Sequence, residues 1–371
     1  MSSPTKPEPT CLIMSLPDEV VVDIIARVST RFHPSISAVC RRFRSLVTSP
    51  ELYKARRSLS GCNEHCLYVI LQSFGENSET RVYNLRRKPD GGHRLVLVSS
   101  LPAMPHEASF VVDGSRIHVF GGFSLYDRSE RNALSIDCRY HTVQPLPTMP
   151  KRMIGTPLAH VMDGKIYVFG CTNYYNKVTA VFNTLTQTWE PEMTKPRIEL
   201  RHVLNGPDGY VNSIVYDGTK ETKWETEWML KFNKWKSVCV IDDVFYSYDC
   251  LYNKLKAYDT KLRCWSEVKG VKTLLPTNKS LVWWPRVVNY GGNLLFLYQK
   301  RICRIEEHWC AEIALERRQD GEIWGKVEWS DVVIVGDFCL IESLAHTNSS
   351  RESVIHGSII SYMLSHTILV L

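Results

Sequence analysis

The chain has 371 residues, a formal net charge of +6, and 44% hydrophobic and 23% charged residues. This composition is ordinary for a soluble globular protein, and the length suffices for two or three domains or for one large β-propeller with a small additional module. The longest apolar stretch, residues 359–371, is interrupted by polar side chains. It is shorter than the roughly 20 apolar residues that span a bilayer, so no membrane segment is predicted.

The cysteines indicate a reducing compartment. The twelve cysteines are mostly scattered singly and no signal peptide precedes them, which predicts an intracellular protein that is cytoplasmic, nuclear or both. One cluster, Cys62, His65 and Cys66, has residue types that ligate zinc, but it lacks a second pair of ligands and is interpreted as structural. No metal and no cofactor is therefore predicted.

Much of the positive charge lies near the N-terminus. A basic face can steer an acidic protein partner, or it can simply keep a helical segment soluble. No zinc finger, RNP-like stretch or long basic tract points to nucleic acid. A protein partner is the favoured interpretation, because the apolar face of the same segment also needs to be covered. The basic residues are Arg27, Arg31, Arg41, Arg42, Arg44, Lys54, Arg56 and Arg57.

Residues 15–53 predict three short helices. Pro17, Asp18 and Glu19 suit a first helical turn, and an apolar stripe with helical spacing follows. Pro34 interrupts the pattern, and a second stripe begins at Ile36. A segment of about 40 residues rarely folds without help, so its apolar surface packs either on the body behind it or on a partner protein.

The order of these features resembles the F-box of ubiquitin-ligase substrate receptors. In that family a Leu-Pro pair opens the first helix, an aliphatic residue follows, and a Val-x-Lys/Arg-x-Trp/Phe stretch lies on the third helix. Phe43 in place of Trp and Val20 in place of Leu predict weaker or altered adaptor preference rather than loss of binding. The resemblance implies that a Skp-type adaptor, and through it cullin and RING subunits, is bound by Leu16, Pro17, Val20, Ile24, Ile25, Val39, Phe43 and Leu46.

From His65 onward the periodicity is that of β-strands. An acidic-Gly or Gly-Gly turn recurs before apolar strands, and this is hairpin chemistry because Gly tolerates positive φ. An apolar residue followed by Asn or Asp also recurs, at intervals of about 35–50 residues. Repeats of that length with several short strands each predict a propeller of four-stranded blades. The repeated acidic or amide positions are Asn84, Asp137, Asn183, Asp217 and Asp259.

The body resembles a kelch propeller, through Gly121, Gly122 and Gly170 after apolar strands and through Trp189 and Trp265 after polar turns. Residues 309–329 resemble the terminal blade of plant F-box/kelch-repeat proteins. The expected fold is an all-β kelch-type β-propeller of about five to six blades, some degenerate, preceded by a small all-α F-box helical domain. The expected divisions are a disordered tail over residues 1–11, the F-box over 12–58, the propeller over 62–339 with a closing strand at 332–335, and an atypical tail over 340–371.

The resemblance implies a function as well. The chain would be the substrate-recognition subunit of an SCF-type (Skp–cullin–F-box) E3 ubiquitin ligase: a non-catalytic adaptor whose propeller binds an unknown target protein for ubiquitination and proteasomal degradation. Loops would carry the target contacts, since blades are fixed by packing. Neither nucleic acid nor a membrane is expected as a partner. The candidate target-binding residues are Tyr126, Arg128, Arg131, Tyr174, Tyr175 and Arg201.

Two alternatives remain open. One is a kelch scaffold that binds proteins outside any ubiquitin ligase. The other is a metal-dependent propeller enzyme, since copper oxidases of the kelch type need a Tyr, a Cys and at least two His on one metal. His118, His160 and His202 lie near three successive blade starts, although lone strand histidines are usually structural. No nucleophile elbow, phosphate loop or paired zinc motif is present in the sequence.

Overall fold

The structure is a computed structural model of the chain. Its residues fall into two compact units that divide at residue 65, and each unit is described by itself. No helix in the described ranges is long and apolar enough to cross a membrane. The structure describes residues 12–28, 32–58, 65–75, 78–88, 90–123, 131–162, 164–172, 177–191, 237–249, 252–259, 261–262, 264–275, 285–302, 304–319 and 321–347.

The N-terminal unit is built from short helices. Its elements are a 3-10 turn (Leu12–Ser15), α1 (Asp18–Ala26), α2 (His33–Val39), α3 (Arg41–Val47) and α4 (Pro50–Ser58). Cys40 is extended and separates α2 from α3, so the second predicted helix is two helices. The Sγ atom of Cys40 accepts a hydrogen bond from the Phe43 amide at 3.4 Å, which caps α3.

These helices enclose a small core of their own. Arg56 on α4 is buried and donates a hydrogen bond to the carbonyl oxygen of Ala26 at 3.0 Å. Because the last carbonyls of a helix have no partner within it, this bond satisfies the end of α1 and ties it to α4. The buried apolar side chains are Val21, Val22, Ile25, Ala26, Phe43, Leu46, Val47 and Leu52.

The second unit is made of strands. In the described residues, twenty strands form five four-stranded sheets. In chain order they are β1 (His65–Ser73), β2 (Thr80–Arg87), β3 (His93–Leu97), β4 (His106–Asp113), β5 (Arg116–Phe123), β6 (Ala133–Asp137), β7 (Thr142–Pro145), β8 (Ile154–Met162), β9 (Lys165–Cys171), β10 (Lys177–Asn183), β11 (Thr188–Trp189), β12 (Val238–Ile241), β13 (Val244–Asp249), β14 (Lys254–Asp259), β15 (Cys264–Glu267), β16 (Arg286–Tyr290), β17 (Asn293–Ile302), β18 (Ile305–Arg317), β19 (Ile323–Val335) and β20 (Phe338–Thr347).

The sheets are the blades of a five-bladed β-propeller, which confirms the predicted fold class. Blades 2 to 5 are the consecutive sets β4–β7, β8–β11, β12–β15 and β16–β19. Their first strands lie next to one another, as β4 and β8 do, and β12 and β16, so these are the inner strands of the ring. Blade 1 has the order β20-β1-β2-β3. The last strand of the described residues, β20, therefore occupies the inner position of the first blade.

The prediction that residues 332–335 form the closing strand is wrong. Residues 332–335 end β19, where Val332 pairs with Trp309 of β18 at the outer edge of blade 5. The closing strand is β20, which pairs with β1. It runs across the predicted boundary at 339/340, so residues up to 347 belong to the first sheet. Residues 1–11 and 348–371, the rest of the predicted tails, lie outside the described residues.

Asp137, Asn183 and Asp259 end the third strand of their blades. Of the other repeated positions, Asn84 lies inside β2 and Asp217 lies outside the described residues. Asp137 Oδ1 accepts the Arg139 amide at 2.9 Å, and Asn183 Oδ1 accepts the Leu185 amide at 3.0 Å. Such side-chain acceptors mimic a backbone turn. The turn sets the register of the fourth strand, in which Trp189 pairs with Phe182. The spacing between the Asn or Asp and the later apolar residue therefore reflects how the third and fourth strands of a blade pair in their hairpin.

Candidate protein-binding surfaces

The helical unit exposes large apolar side chains. Val20, Ile24 and Val39 retain 42%, 38% and 68% of their surface, and Met14 and Phe32 are also exposed. Val20 and Ile24 lie one turn apart on α1 and therefore share a face. Exposed apolar surface of this kind on a small unit is typical of a protein-interaction site.

The predicted adaptor-binding residues divide into two groups. Ile25, Phe43 and Leu46 are buried in the core of the helical unit, and Leu16 packs partly against that core. These side chains hold the helices together. The residues of the predicted set that remain exposed are Pro17, Val20, Ile24 and Val39.

Arg42 is a residue whose role the sequence did not indicate. Its Nε lies 2.7 Å from Asp18 Oδ1, and its Nη1 and Nη2 donate to the carbonyl oxygens of Met14 and Leu16 at 2.8 Å and 2.5 Å. The guanidinium fork on α3 thus fixes the segment that carries Leu16 and Pro17. In the sequence Arg42 lies within residues 39–43, where nothing distinguishes it from the other basic residues of the segment.

The predicted kelch residues pack blades together. A Cβ on Gly121 would lie 2.7 Å from Cγ of Pro157 on β8, and a Cβ on Gly170 would lie 2.7 Å from Sδ of Met153. A larger residue at either position would force the neighbouring side chain to shift. Trp189 Nε1 donates to the Pro147 carbonyl oxygen at 2.7 Å.

Trp265 occupies in blade 4 the position that Trp189 occupies in blade 3. It pairs with Tyr258 across β14 and β15, and the two ring centroids are 5.0 Å apart. Large aromatic pairs of this kind contribute much of the packing of a blade. The kelch residues are therefore structural, and the binding surface has to be sought elsewhere.

Of the predicted target-binding loop residues, Arg131 is the one that the structure describes. Arg131 is exposed in the turn that precedes β6. It lies on the connection between the second and third strands of blade 2, at the opposite end of the strands from the β4–β5 turn. Its role in target binding stays a prediction. Tyr126, Arg128, Tyr174, Tyr175 and Arg201 lie outside the described residues.

The histidines proposed for metal chemistry do not converge in the described part of the propeller. His118 is buried beside Phe120 and Phe182, with 6.2 Å between ring centroids in each pair. Burial lowers its pKa to about 4, so it is neutral at physiological pH. His160 pairs with Tyr167 in blade 3, and His202 lies outside the described residues. Within those residues no group of three His, Cys, Asp or Glu side chains is placed to hold a metal.

Two family models match the two units. The F-box domain model matches residues 13–55, which span the helical unit. The FKB95 kelch-repeats domain model matches residues 82–334, from β2 to β19. The chain belongs to the F-box/kelch-repeat family. The resemblance seen in the sequence is confirmed for both domains.

Curated members of the family match nearly the whole chain. One F-box/kelch-repeat protein of Arabidopsis thaliana is 42% identical over 91% of this chain and 95% of its own length. A second, also from Arabidopsis thaliana, is 35% identical over 90% of this chain and 92% of its own. The family is thus represented in plants, as the sequence predicted. The kelch model stops short of β1 and β20, the two strands that pair at the closure of blade 1.

Proposed function

We propose that this F-box/kelch-repeat protein is the target-recognition subunit of a Skp–cullin–F-box ubiquitin ligase. The observation that carries the proposal is the exposed apolar set Val20, Ile24 and Val39 on a helical unit that matches the F-box model. These side chains would contact a Skp-type adaptor, which links the chain to the cullin and RING subunits. Apolar anchors that become fully buried dominate the affinity of such interfaces.

The buried members of the predicted set act differently. Ile25, Phe43 and Leu46 hold α1 and α3 in place, so they would support the interface rather than touch the adaptor. The replacement of Trp by Phe at position 43 then changes the core of the F-box. Adaptor affinity would depend chiefly on the exposed aliphatic residues and on the segment that Arg42 fixes.

The propeller would hold a target protein. Its five blades form a rigid platform, and side chains at the turns of the blades are free to vary. The target would be brought near a ubiquitin-charged E2, which raises its effective concentration at the reactive thioester. On this account the chain supplies binding and position, not catalytic groups, in the cytoplasm, the nucleus or both.

Assembly in cells tests the proposal. A tagged wild-type chain should co-purify with a Skp-type adaptor and with cullin, whereas Val20→Ala/Ile24→Ala, which truncates two exposed side chains of α1, should retain neither. Loss of two apolar contacts costs several kcal/mol, which is enough to abolish a complex of about micromolar affinity. The matched control is Val335→Ala/Ile305→Ala, two exposed residues of the propeller. Failure of the wild-type chain to bring down either subunit would favour a kelch scaffold that works outside a ligase.

A further inference from the structure

A cavity of about 310 Å³ lies between blades 4 and 5. It opens where the β12–β13 turn and the end of β14 face the β16–β17 turn and the end of β18. Its volume falls at the lower end of the range of about 300–1,000 Å³ that is typical of small-ligand sites. The lining residues that the structure describes belong to the propeller, and they combine apolar and charged side chains.

The cavity is acidic although the chain is basic. Among the described residues, four carboxylates and two cations line it, namely Asp242, Asp243, Asp259 and Glu316 with Lys261 and Arg317. The formal charge of the whole chain is +6. A local excess of negative charge in such a protein favours a cationic ligand.

Two of the four carboxylates already have hydrogen-bond or ion-pair partners. Asp259 Oδ1 accepts the amides of Lys261 and Leu262 at 2.8 and 2.9 Å, and its Oδ2 pairs with Arg317 at 2.5 Å. These contacts hold the pKa of Asp259 below its usual value. Asp243 lies 3.8 Å from Lys261 Nζ. The role of Asp259 is therefore to anchor the rim of the cavity.

The other two carboxylates are available. Within the described ranges, the side chains of Asp242 and Glu316 make no hydrogen bond and no ion pair. They belong to different blades, Asp242 to the β12–β13 turn and Glu316 to the end of β18. A guanidinium or ammonium group placed between them could donate charge-assisted hydrogen bonds to both carboxylates, one on each side of the junction.

Tyr246 supplies an independent sign of a ligand. It lines the cavity and is only 4% exposed, yet its hydroxyl has no hydrogen-bond partner among the residues that the structure describes. The hydroxyl oxygen is not among the fully enclosed polar atoms that lack a partner, so it is reached from the cavity while the rest of the side chain is buried. Burial raises the pKa of Tyr246, and Arg317, Asp242 and Asp259, all of which line the cavity, also act on it. The phenol is thus protonated and turned toward the cavity, where its oxygen can accept from a cation.

The apolar wall suits the stem of a basic side chain. Ile241 and Val244 line the cavity from blade 4, and Leu315 and Ile323 line it from blade 5. Lys and Arg bury their methylene stems on apolar surface while their charged ends reach polar partners. A small inorganic cation would leave this wall without a contact.

We propose that this cavity binds an arginine or lysine side chain of the target protein. The stem would lie on the apolar wall, and the charged end would reach Asp242, Glu316 and the hydroxyl of Tyr246. The inference rests on the proposed role of the propeller as the target-binding domain. It places the specificity site at the turns between first and second strands, away from the loop that contains Arg131.

A direct titration of the full chain tests this site. The probe is acetyl-glycyl-arginyl-glycine amide, and the control probe carries citrulline, which has the shape of arginine without its charge. Binding is followed by NMR of ¹³C-labelled tyrosine, with the Tyr246 signal assigned from a Tyr246→Phe variant. The cavity variant is Asp242→Asn/Glu316→Gln. The matched variant is Asp337→Asn/Glu328→Gln, which removes the same charge from two exposed sites of the propeller.

The expected result is a saturable shift of the Tyr246 signal by the arginine peptide, with affinity at least about tenfold weaker for citrulline and for the cavity variant. The matched variant should bind like wild type, and binding should weaken with salt. A wild-type chain without saturable binding overturns the inference, as does equal affinity for citrulline or for the cavity variant. The titration does not involve the adaptor, so its failure is distinct from a failure to assemble a ligase.

Discussion

His93 and Asp331 lie 238 positions apart in the chain, and Nδ1 of His93 is 2.8 Å from Oδ2 of Asp331. The same oxygen accepts the backbone amide of His93 at 2.9 Å, and the imidazole stacks on Trp329 with 3.7 Å between ring centroids. β3 and β19 are the outer strands of blades 1 and 5. Blades 1 and 5 are therefore joined at two places. His93 and Asp331 join them at the periphery, and at the centre β20, which follows β19 of blade 5 in the chain, completes blade 1.

Asp331→Ala should destabilise this junction. The substitution leaves the His93 amide and imidazole without their acceptor, which should lower the free energy of unfolding by about 1–3 kcal/mol. Urea denaturation of the full chain measures the change. Asp337→Ala, an exposed position near the β19–β20 link, is the control and should change stability by less than about 0.5 kcal/mol. Equal stability of the two variants would show that the His93 contact does not hold the blades.

Gly122→Ala should be far more harmful than Gly114→Ala. Both glycines have positive φ, but a Cβ on Gly122 would lie 2.4 Å from the His106 carbonyl oxygen, whereas a Cβ on Gly114 meets nothing within 4 Å. The expected losses of unfolding free energy are about 3 kcal/mol or more at position 122 and about 1 kcal/mol at position 114. Thermal or urea unfolding of the two variants decides this. Similar losses at both positions would mean that β4 and β5 can move apart to admit a methyl group.

His118 should make the propeller sensitive to mild acid. Its folded pKa of about 4 lies below the ordinary value of 6.5 because the imidazole is buried. The unfolded chain therefore takes up the proton first, and the stability that His118 supplies is complete above pH 6.5 and is lost as the pH falls toward 4. Between pH 7 and pH 5 this loss is about 2 kcal/mol.

His118→Phe should remove that part of the pH dependence. Phe is apolar and fits the neighbourhood of Phe120 and Phe182. The measurement is the difference in unfolding free energy between pH 7 and pH 5 for wild type and variant, from urea titrations. Each protein serves as its own reference at pH 7, where the imidazole is neutral in the folded state. Parallel pH profiles would contradict the assignment of a neutral, buried His118.

Arg42→Ala should loosen the segment that precedes α1. The carbonyl oxygens of Met14 and Leu16 lose their donors, and Asp18 loses its ion pair. Hydrogen exchange of the backbone amides in residues 12–18 should speed up by about tenfold, because local opening becomes easier. Arg41→Ala, at an exposed neighbouring position, should leave these rates unchanged. If both variants exchange alike, Arg42 does not position Leu16 and Pro17.

The parts of the fold that depend on residues close together in the chain were predicted from the sequence. The hairpin turn at Asp113 and Gly114 and the strand register set by Asn183 and Trp189 depend on residues close together in the chain, and the structure has both. The closing strand was missed, because β20 follows Gly336 and Asp337 directly and carries none of the repeat markers. Its partner β1 lies at the other end of the strand unit, beyond the reach of any local pattern.

The candidate sites show the same division. The apolar stripe of α1 identified Ile24 and Ile25 together, but only the packing shows that Ile24 is exposed and Ile25 is buried. No local pattern in the sequence predicts that the acidic residues of the cavity come together. Asp259 and Arg317 lie 58 positions apart on different blades. In the sequence Asp259 is a repeat position, and nothing indicates that Arg317 is its partner.

The affinity of the purified chain for a purified Skp-type adaptor tests the central claim most directly. Val20→Asp/Ile24→Asp places two charges on the exposed face of α1, and Val335→Asp/Ile305→Asp makes the same substitutions at exposed sites of the propeller. The account predicts binding by wild type and by the propeller variant with similar Kd, and a Kd at least about 100-fold weaker for the α1 variant. No binding by wild type, or equal binding by all three proteins, would contradict it.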